Sequence, residues 1–308
     1  LEDRVAETSA GKAYIREGNE TKVLRDADRR ELEYSKGQIS FEDEEACEYS
    51  DDLIVADILE ELRTAVAQSG QPQPRIDSEK LLLSKHLAKK RDGTLYLTKA
   101  GLLLLSKDPR AHLPGAYVRF TQYEGTEKKA GREHNTVKDQ SFSDPLPRLI
   151  QRLQDFLRSQ FREFTFMGPD GRFVHEPEYP ESVWQEAIVN ALVHRSYSLQ
   201  NTPVLVEAYD DRIEVKSPGD YPAGVHPREF IHNPRNPHLM EAMRCLKFVQ
   251  MLTEGSLRMR EEMNRANLPA PDFSRPGSPY VRVILRNDVR RRLQDRIDGK
   301  SETTEFAN

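Results

Sequence analysis

Two cysteines, Cys47 and Cys245, are all that 308 residues contain. That is too few for a disulfide framework or a zinc site, and it fits a reducing cytoplasm. Long apolar runs are missing too. No stretch approaches the roughly 20 apolar residues that cross a bilayer, so no membrane partner is expected. The first residues, Leu1-Glu2-Asp3-Arg4, include neither a Met nor a hydrophobic signal region and read as the start of a fragment. Nothing therefore gives the sequon Asn19-Glu20-Thr21 a secretory context. A positive balance is absent: 46 Lys and Arg face 51 Asp and Glu, a net charge of −5. Nucleic-acid binding would have to use a local basic patch. A P-loop is also missing. Gly11-Lys12 and Gly299-Lys300-Ser301 are the Gly-Lys pairs, and Ala6 and Gln294 stand where its first glycine belongs.

What is present is a highly charged chain, 31% Asp, Glu, Lys and Arg with 37% hydrophobic residues, long enough for two or three domains. Its centre is Pro180 to Arg195. Val183, Trp184, Ala187, Ile188, Ala191 and Leu192 recur at helical spacing and predict one amphipathic helix. Pro180 suits the helix start and Glu181 its positive dipole end. Glu186, Asn190 and His194 are each four apart, about 40° from one another around the axis, at the border of the apolar stripe. Two readings of this row stand. Glu186 and Asn190 are boundary polar groups and His194 a hydrogen-bonded core histidine. Alternatively, Glu186 activates a water and Asn190 turns an oxygen toward a hard cation such as Mg²⁺, which bridges to phosphates.

Around this helix the chain divides into segments. In residues 1–50, Ala13 to Arg16 predicts a strand, and Asp26 to Lys36 a polar helix closed by Gly37. The acidic run Glu42 to Glu45 reads as a solvated face. In residues 51–125, Asp51-Asp52 is expected to cap a helix through Leu62, and Asp77-Ser78 another. A basic turn, a short strand Thr94 to Leu97 and a helix capped by Thr98 follow, a winged-helix-like order. Lys85, Lys89, Lys90 and Arg91, with Lys99, are the best phosphate-contact candidates; a solvated rim is the other reading. Ala116 to Glu124 alternates as a strand. In residues 126–286, Glu127 to Gln140 reads as an irregular loop, and Asp144 as the cap of a long helix. Val204 to Tyr209 and Arg212 to Lys216 predict a hairpin, 236–252 and 256–264 helices, and Tyr280 to Leu285 a strand. Residues 287–308, with Arg290-Arg291-Arg292, form a charged tail. Helices alternating with antiparallel strands make the fold class α+β.

Four motifs taken together carry a resemblance: Glu186 to Arg195, Arg212 to Gly219, Arg235-Asn236-Pro237, and Gly255 to Met259. The chain resembles the family often labelled transcriptional regulators or RecG-like ATP-binding proteins. Their C-terminal domain is similar to a GHKL, histidine-kinase-type ATPase. Upstream, Tyr14 to Thr21 and Ile39 to Asp43 resemble the end of a Schlafen/AlbA-type DNA-binding domain, and Leu97 to Leu105 with Pro114-Gly115-Ala116 the family's linking region. The resemblance reaches residue 286 and implies a GHKL-like α/β sandwich over 126–286.

It also implies roles. Glu186 is the general base and Asn190 the Mg²⁺ ligand. Asn190, His194, Gly219, Gly255 and Arg258 line an ATP site, with Gly255 in a phosphate lid. Implied cofactors are ATP and Mg²⁺, and implied partners are nucleic acid, DNA ahead of RNA, and further copies of the chain. Three departures stand out. Ser217 occupies the place of the Asp that reads adenine, Thr253 that of the first lid glycine, and Ser196 that of the Asp in the family's His-Arg-Asp-Tyr. Three functions follow as expectations. One is a nucleic-acid-binding regulatory or defence-associated protein whose GHKL-like, degenerate ATP-binding domain serves as a sensing or dimerising scaffold. Another is a working Mg²⁺-dependent ATPase. A third is part of a Schlafen-like nuclease whose catalytic segment precedes Leu1.

Overall fold

The computed structural model describes residues 5, 8, 12–17, 20–24, 26–35, 39–68, 77–167, 170–220, 234–249, 255–274 and 280–287. Gly37, Thr253 and the arginines of the tail lie outside them. The described elements are α+β. Strands β1 (Tyr14–Glu17) and β2 (Glu20–Val23) form an antiparallel ribbon, and α1 (Asp26–Ser35) follows.

A three-stranded sheet comes next, in the order β3 (Glu45–Glu48), β5 (Thr94–Thr98), β4 (Ala88–Arg91). It packs with α2 (Ala56–Gln68), α3 (Ser78–Ser84) and α4 (Lys99–Leu105). Two expected caps are present. The Asp77 carboxylate accepts the Glu79 N–H, and Thr98 Oγ1 accepts that of Gly101. Asp92 and Gly93 carry φ of 51° and 82°, the left-handed pair that a two-residue hairpin turn needs. The expected cap at Asp51-Asp52 is corrected. Residues 51–53 form a turn, Ile54 bridges Ser106, Val55 N–H binds the Leu105 carbonyl and Lys107 N–H that of Leu53, so the helix starts at Ala56.

The acidic run is corrected as well: it is no solvated face. The Glu42 carboxylate, 1% exposed, accepts the N–H groups of His238 (2.8 Å) and Leu239 (2.9 Å). Asp43 meets His238, Glu44 meets Lys99, and Glu45 meets Arg91. Local charge density cannot reveal partners that lie far off in sequence.

The remaining elements are β6 (Val118–Tyr123), β7 (Thr136–Phe142), α5 (Leu146–Gln160), β8 (Glu163–Met167), β9 (Phe173–Pro177) and α6 (Glu181–Val193). After them come β10 (Val204–Ala208), β11 (Arg212–Pro218), α7 (Pro237–Cys245), α8 (Gly255–Arg265), β12 (Asp272–Ser274) and β13 (Tyr280–Arg286). Six of the strands form one sheet in the order β12-β13-β11-β10-β6-β7. Its pairs are antiparallel except β6 and β10, which run parallel, Val118 opposite Val204. Strand β7 replaces the end of the expected loop over 127–140. It is an edge strand on which Phe142 alone is buried, so it lacks the apolar alternation that marks a strand. The cap of α5 is Pro145, while Asp144 pairs instead with Arg152 at 2.8 Å.

The strand period of two divides the sheet's faces. Phe120, Val206, Ile213 and Val215 are buried on the face that carries α5 and α6, where Phe156 meets Phe120 edge-on. Glu207, Arg212, Glu214 and Lys216 alternate with them onto the other face.

Candidate functional site

The site is organised by the C-terminal end of α6. A helix leaves its last four carbonyls without helical partners. Here each has one. The Asn190 carbonyl accepts His194 N–H (3.0 Å), that of Ala191 accepts Ser217 Oγ (2.8 Å), that of Leu192 accepts the Tyr197 hydroxyl (2.9 Å), and that of Val193 accepts Asn236 Nδ2 (2.8 Å). His194 thus closes the helix. Ser217 draws the end of β11 against it, and Asn236 does the same for the start of α7. Arg195, 2% exposed, donates to the carbonyls of Gly115 and Thr202, both at 2.7 Å, and fixes the loop beyond the helix. Asn236 stands before Pro237, a cap signature, yet its amide serves α6 rather than its own helix. Only the assembled fold reveals that role.

Glu186, Asn190, Gly255 and Arg258 are brought together. Asn190 Nδ2 donates to Glu186 Oε1 (3.0 Å), and Arg258 Nη2 to Glu186 Oε2 (2.7 Å). A Cβ added to Gly255 would lie 2.4 Å from Glu186 Oε1, so glycine lets the start of α8 sit here with the Glu186 carboxylate in its present place. Gly219 occupies the turn that ends β11, with φ of 111°. A Cβ there would lie 2.8 Å from Ser196 Cβ. Among the described residues, helix α8 buries two side chains fully, the flexible Met259 and Met263, and the Arg258–Glu186 ion pair joins it to α6.

This donor set fits Mg²⁺ and phosphate in part. Carboxylate and amide lie one helical turn apart. The amide nitrogen is engaged by Glu186, which leaves its carbonyl oxygen for a hard cation. Arg258 can exchange a carboxylate for phosphate. The base-reading half does not fit by the usual route. Ser217 is buried and its hydroxyl is committed to the helix backbone.

The basic candidates do not form one patch. Lys89 and Arg91 alternate with Lys90 along β4 and so leave by opposite faces. Lys90 pairs with Glu79 (2.6 Å), Arg91 with Glu45 (2.8 Å), and Lys85 with Glu241 (3.3 Å). Lys99 is covered: it binds Glu44 (2.6 Å) and lies 3.7 Å from the centre of the Phe41 ring. A cavity of about 470 Å³ lies away from α6, along α2 and the end of α7, and is lined by Glu60, Glu61, Gln68 and Cys245 among others.

An acid and an amide on one helix, facing a glycine at the start of another, together with a mixed sheet, suit an ATPase-type domain. Residues 201–285 match the family model described as "Putative ATP-dependent DNA helicase recG C-terminal". The match includes Gly219, Gly255 and Arg258, and supports an ATPase-type C-terminal domain; Glu186 and Asn190 precede it. Among solved structures, the chain is similar to the crystal structure of the DIP2311 protein from Corynebacterium diphtheriae, with a TM-score of 0.60 and 19% sequence identity. The likeness covers 91% of this chain and 54% of that one, and it shows a shared fold. The chain thus spans about half the length of that relative. A comparison with curated proteins gives no match. Among the described residues, no helix is long and apolar enough to cross a membrane.

Proposed function

We propose that the chain is the nucleotide-responsive part of a nucleic-acid-binding regulator, with α8 as the lid of an ATPase-type site. One observation carries this reading: Gly255 and Arg258 close α8 directly on Glu186 and Asn190. A carboxylate held by arginine is a poor general base, because its lone pairs already meet a cation. The latched arrangement therefore favours a sensing role over rapid hydrolysis. Nucleotide with Mg²⁺ would occupy Asn190 and Arg258 and release the lid. Calorimetry tests this. The parent is expected to bind ATP with Mg²⁺, and Asn190→Ala to lose that binding. A parent that gives no heat overturns the nucleotide reading.

The working ATPase is the second reading, favoured by the Glu186–Asn190 pair itself. It requires turnover by the parent that Glu186→Ala abolishes.

In the nucleic-acid half, the three-stranded sheet with α2, α3 and α4 supports a winged-helix-like unit beginning near β3 and ending before β6. Its wing is the β4–β5 hairpin. A Lys89, Lys90 and Arg91 triple alanine variant is expected to weaken binding to duplex DNA and to flatten its salt dependence. Pairing of chains through the ATPase-type domain belongs to the same proposal, and sedimentation tests it.

A further inference from the structure

Three side chains from distant parts of the chain meet at the N-terminal end of α7. They are Asp43, His86 and His238, and one donor atom of each lies within 4.8 Å of the others. His238 Nε2 is 3.3 Å from Asp43 Oδ1. The two imidazole rings stack with centroids 4.2 Å apart and planes 20° apart. Neither the nucleotide reading nor the hairpin's basic residues account for this cluster.

We propose that Asp43, His86 and His238 bind a first-row divalent cation of the zinc type, with water completing the coordination. A four-coordinate ion with bonds of about 2.0–2.1 Å places its donors about 3.3 Å apart. Asp43 and His238 already have that spacing, and His86, stacked on His238, would turn out of the stack to aim a nitrogen at the same point. Two imidazoles with one carboxylate select zinc and its neighbours over Mg²⁺ and Ca²⁺, which take oxygen donors. Neutral imidazole is the ligating form. Burial holds His238 below its usual pKa although Asp43 pulls the other way.

The backbone behind each ligand is held. Glu42 anchors the N–H groups of His238 and Leu239. Thr98 Oγ1 donates to the His86 carbonyl (2.9 Å), and Asp43 N–H to that of Ser40 (3.3 Å). Lys89 is the cationic group that opposes the ion, acting on His238. The ion would join three pieces: the residues before β3, the turn before β4, and α7. Asn236, two residues before His238, holds the end of α6, so the ion would brace the basic hairpin against the elements around the ATPase-type site. This site does not depend on nucleotide binding.

The test uses the full chain, stripped with a chelator. Zn²⁺ is titrated by calorimetry, and Co²⁺ by visible absorption. One ion per chain is expected, with the intense Co²⁺ bands of four-coordination and no competition from excess Mg²⁺. His86→Asn keeps a residue that tolerates the left-handed backbone, where φ is 56°. It and His238→Ala are expected to weaken binding by about tenfold or more, while His134→Ala, on an exposed turn, leaves it unchanged. Zn²⁺ is also expected to raise the parent's Tm more than that of His86→Asn at the same concentration. His86→Asn and the parent's Co²⁺ spectrum decide the matter even where His238→Ala fails to fold. No saturable one-to-one binding by the parent overturns the proposal, as does equal affinity in His86→Asn.

Discussion

The two faces of the six-stranded sheet handle charge in opposite ways. On the helix-bearing face the strands are apolar, and the charged group of interest, Glu186, stands on α6 with one cation from α8. On the other face, charge is built into the strands. Glu214, 5% exposed, meets Arg212 (2.7 Å), Lys216 (3.2 Å) and Arg282 (3.5 Å), and Lys216 also binds Glu207. Glu186 has one salt-bridge partner that can leave with its helix. Glu214 has three, all carried by strands of the sheet itself. The more heavily paired carboxylate is thus tied to the sheet, and the more lightly paired one can change partners.

The sharpest test of that contrast is Glu214→Gln. It removes one carboxylate from three cations, of which Arg212 keeps Asp211 and Lys216 keeps Glu207, and is expected to cost about 3 kcal/mol in urea unfolding at neutral pH. Burial pushes the Glu214 carboxyl up, but Arg212 and Lys216 outweigh it and hold it below the usual range. Its stabilisation is therefore complete above the ordinary carboxylate pKa and is lost as the pH falls through its lower folded value. Acid titration of the parent against Glu214→Gln checks the sign: the mutant's stability falls less on acidification.

Gly255→Val comes next. Its side chain meets the tip of Glu186, so that carboxylate must swing off Asn190 and Arg258 or α8 must shift; the expected cost is about 1–3 kcal/mol, and hydrogen exchange rises in α8 while the sheet stays protected. Gly219→Ala is expected to cost about 1–2 kcal/mol, because φ of 111° suits no L side chain and Ser196 is in the way. Thermal melting measures it. The smallest stability effect is expected from Arg258→Ala, under about 1 kcal/mol, since both partners of this ion pair keep solvent contact. Yet it is the variant that frees Glu186. Equal losses from Arg258→Ala and Glu214→Gln would dissolve the distinction between the faces.

Much of this was legible in the sequence. The stripe of α6, the β10–β11 hairpin, the Asp77 and Thr98 caps and the Asp92-Gly93 turn are local signals, and local physics suffices for them. The row of Glu186 and Asn190 followed from helical spacing alone. What escaped depends on distant partners. Glu42 looked solvated because the N–H groups it holds belong to residues 238 and 239. Strand β7 lacked alternation because an edge strand has little to bury. The zinc-type ligands stand at 43, 86 and 238, a spacing with no periodicity, and they meet only once the chain has folded. Counting cysteines pointed away from them.

The parallel contact of β6 and β10 has a bearing on the order in which the molecule assembles. β6 can zip to β7 as soon as residue 142 exists, and β10 to β11 by residue 218. The seam between these two ribbons must wait for everything between 124 and 203, including both helices that cover it. The sheet is thus made of two locally paired ribbons joined by one long-range parallel seam, the contact with the largest loop to close. The helix that carries Glu186 and Asn190 is made in that interval, and its position is settled only when the seam closes.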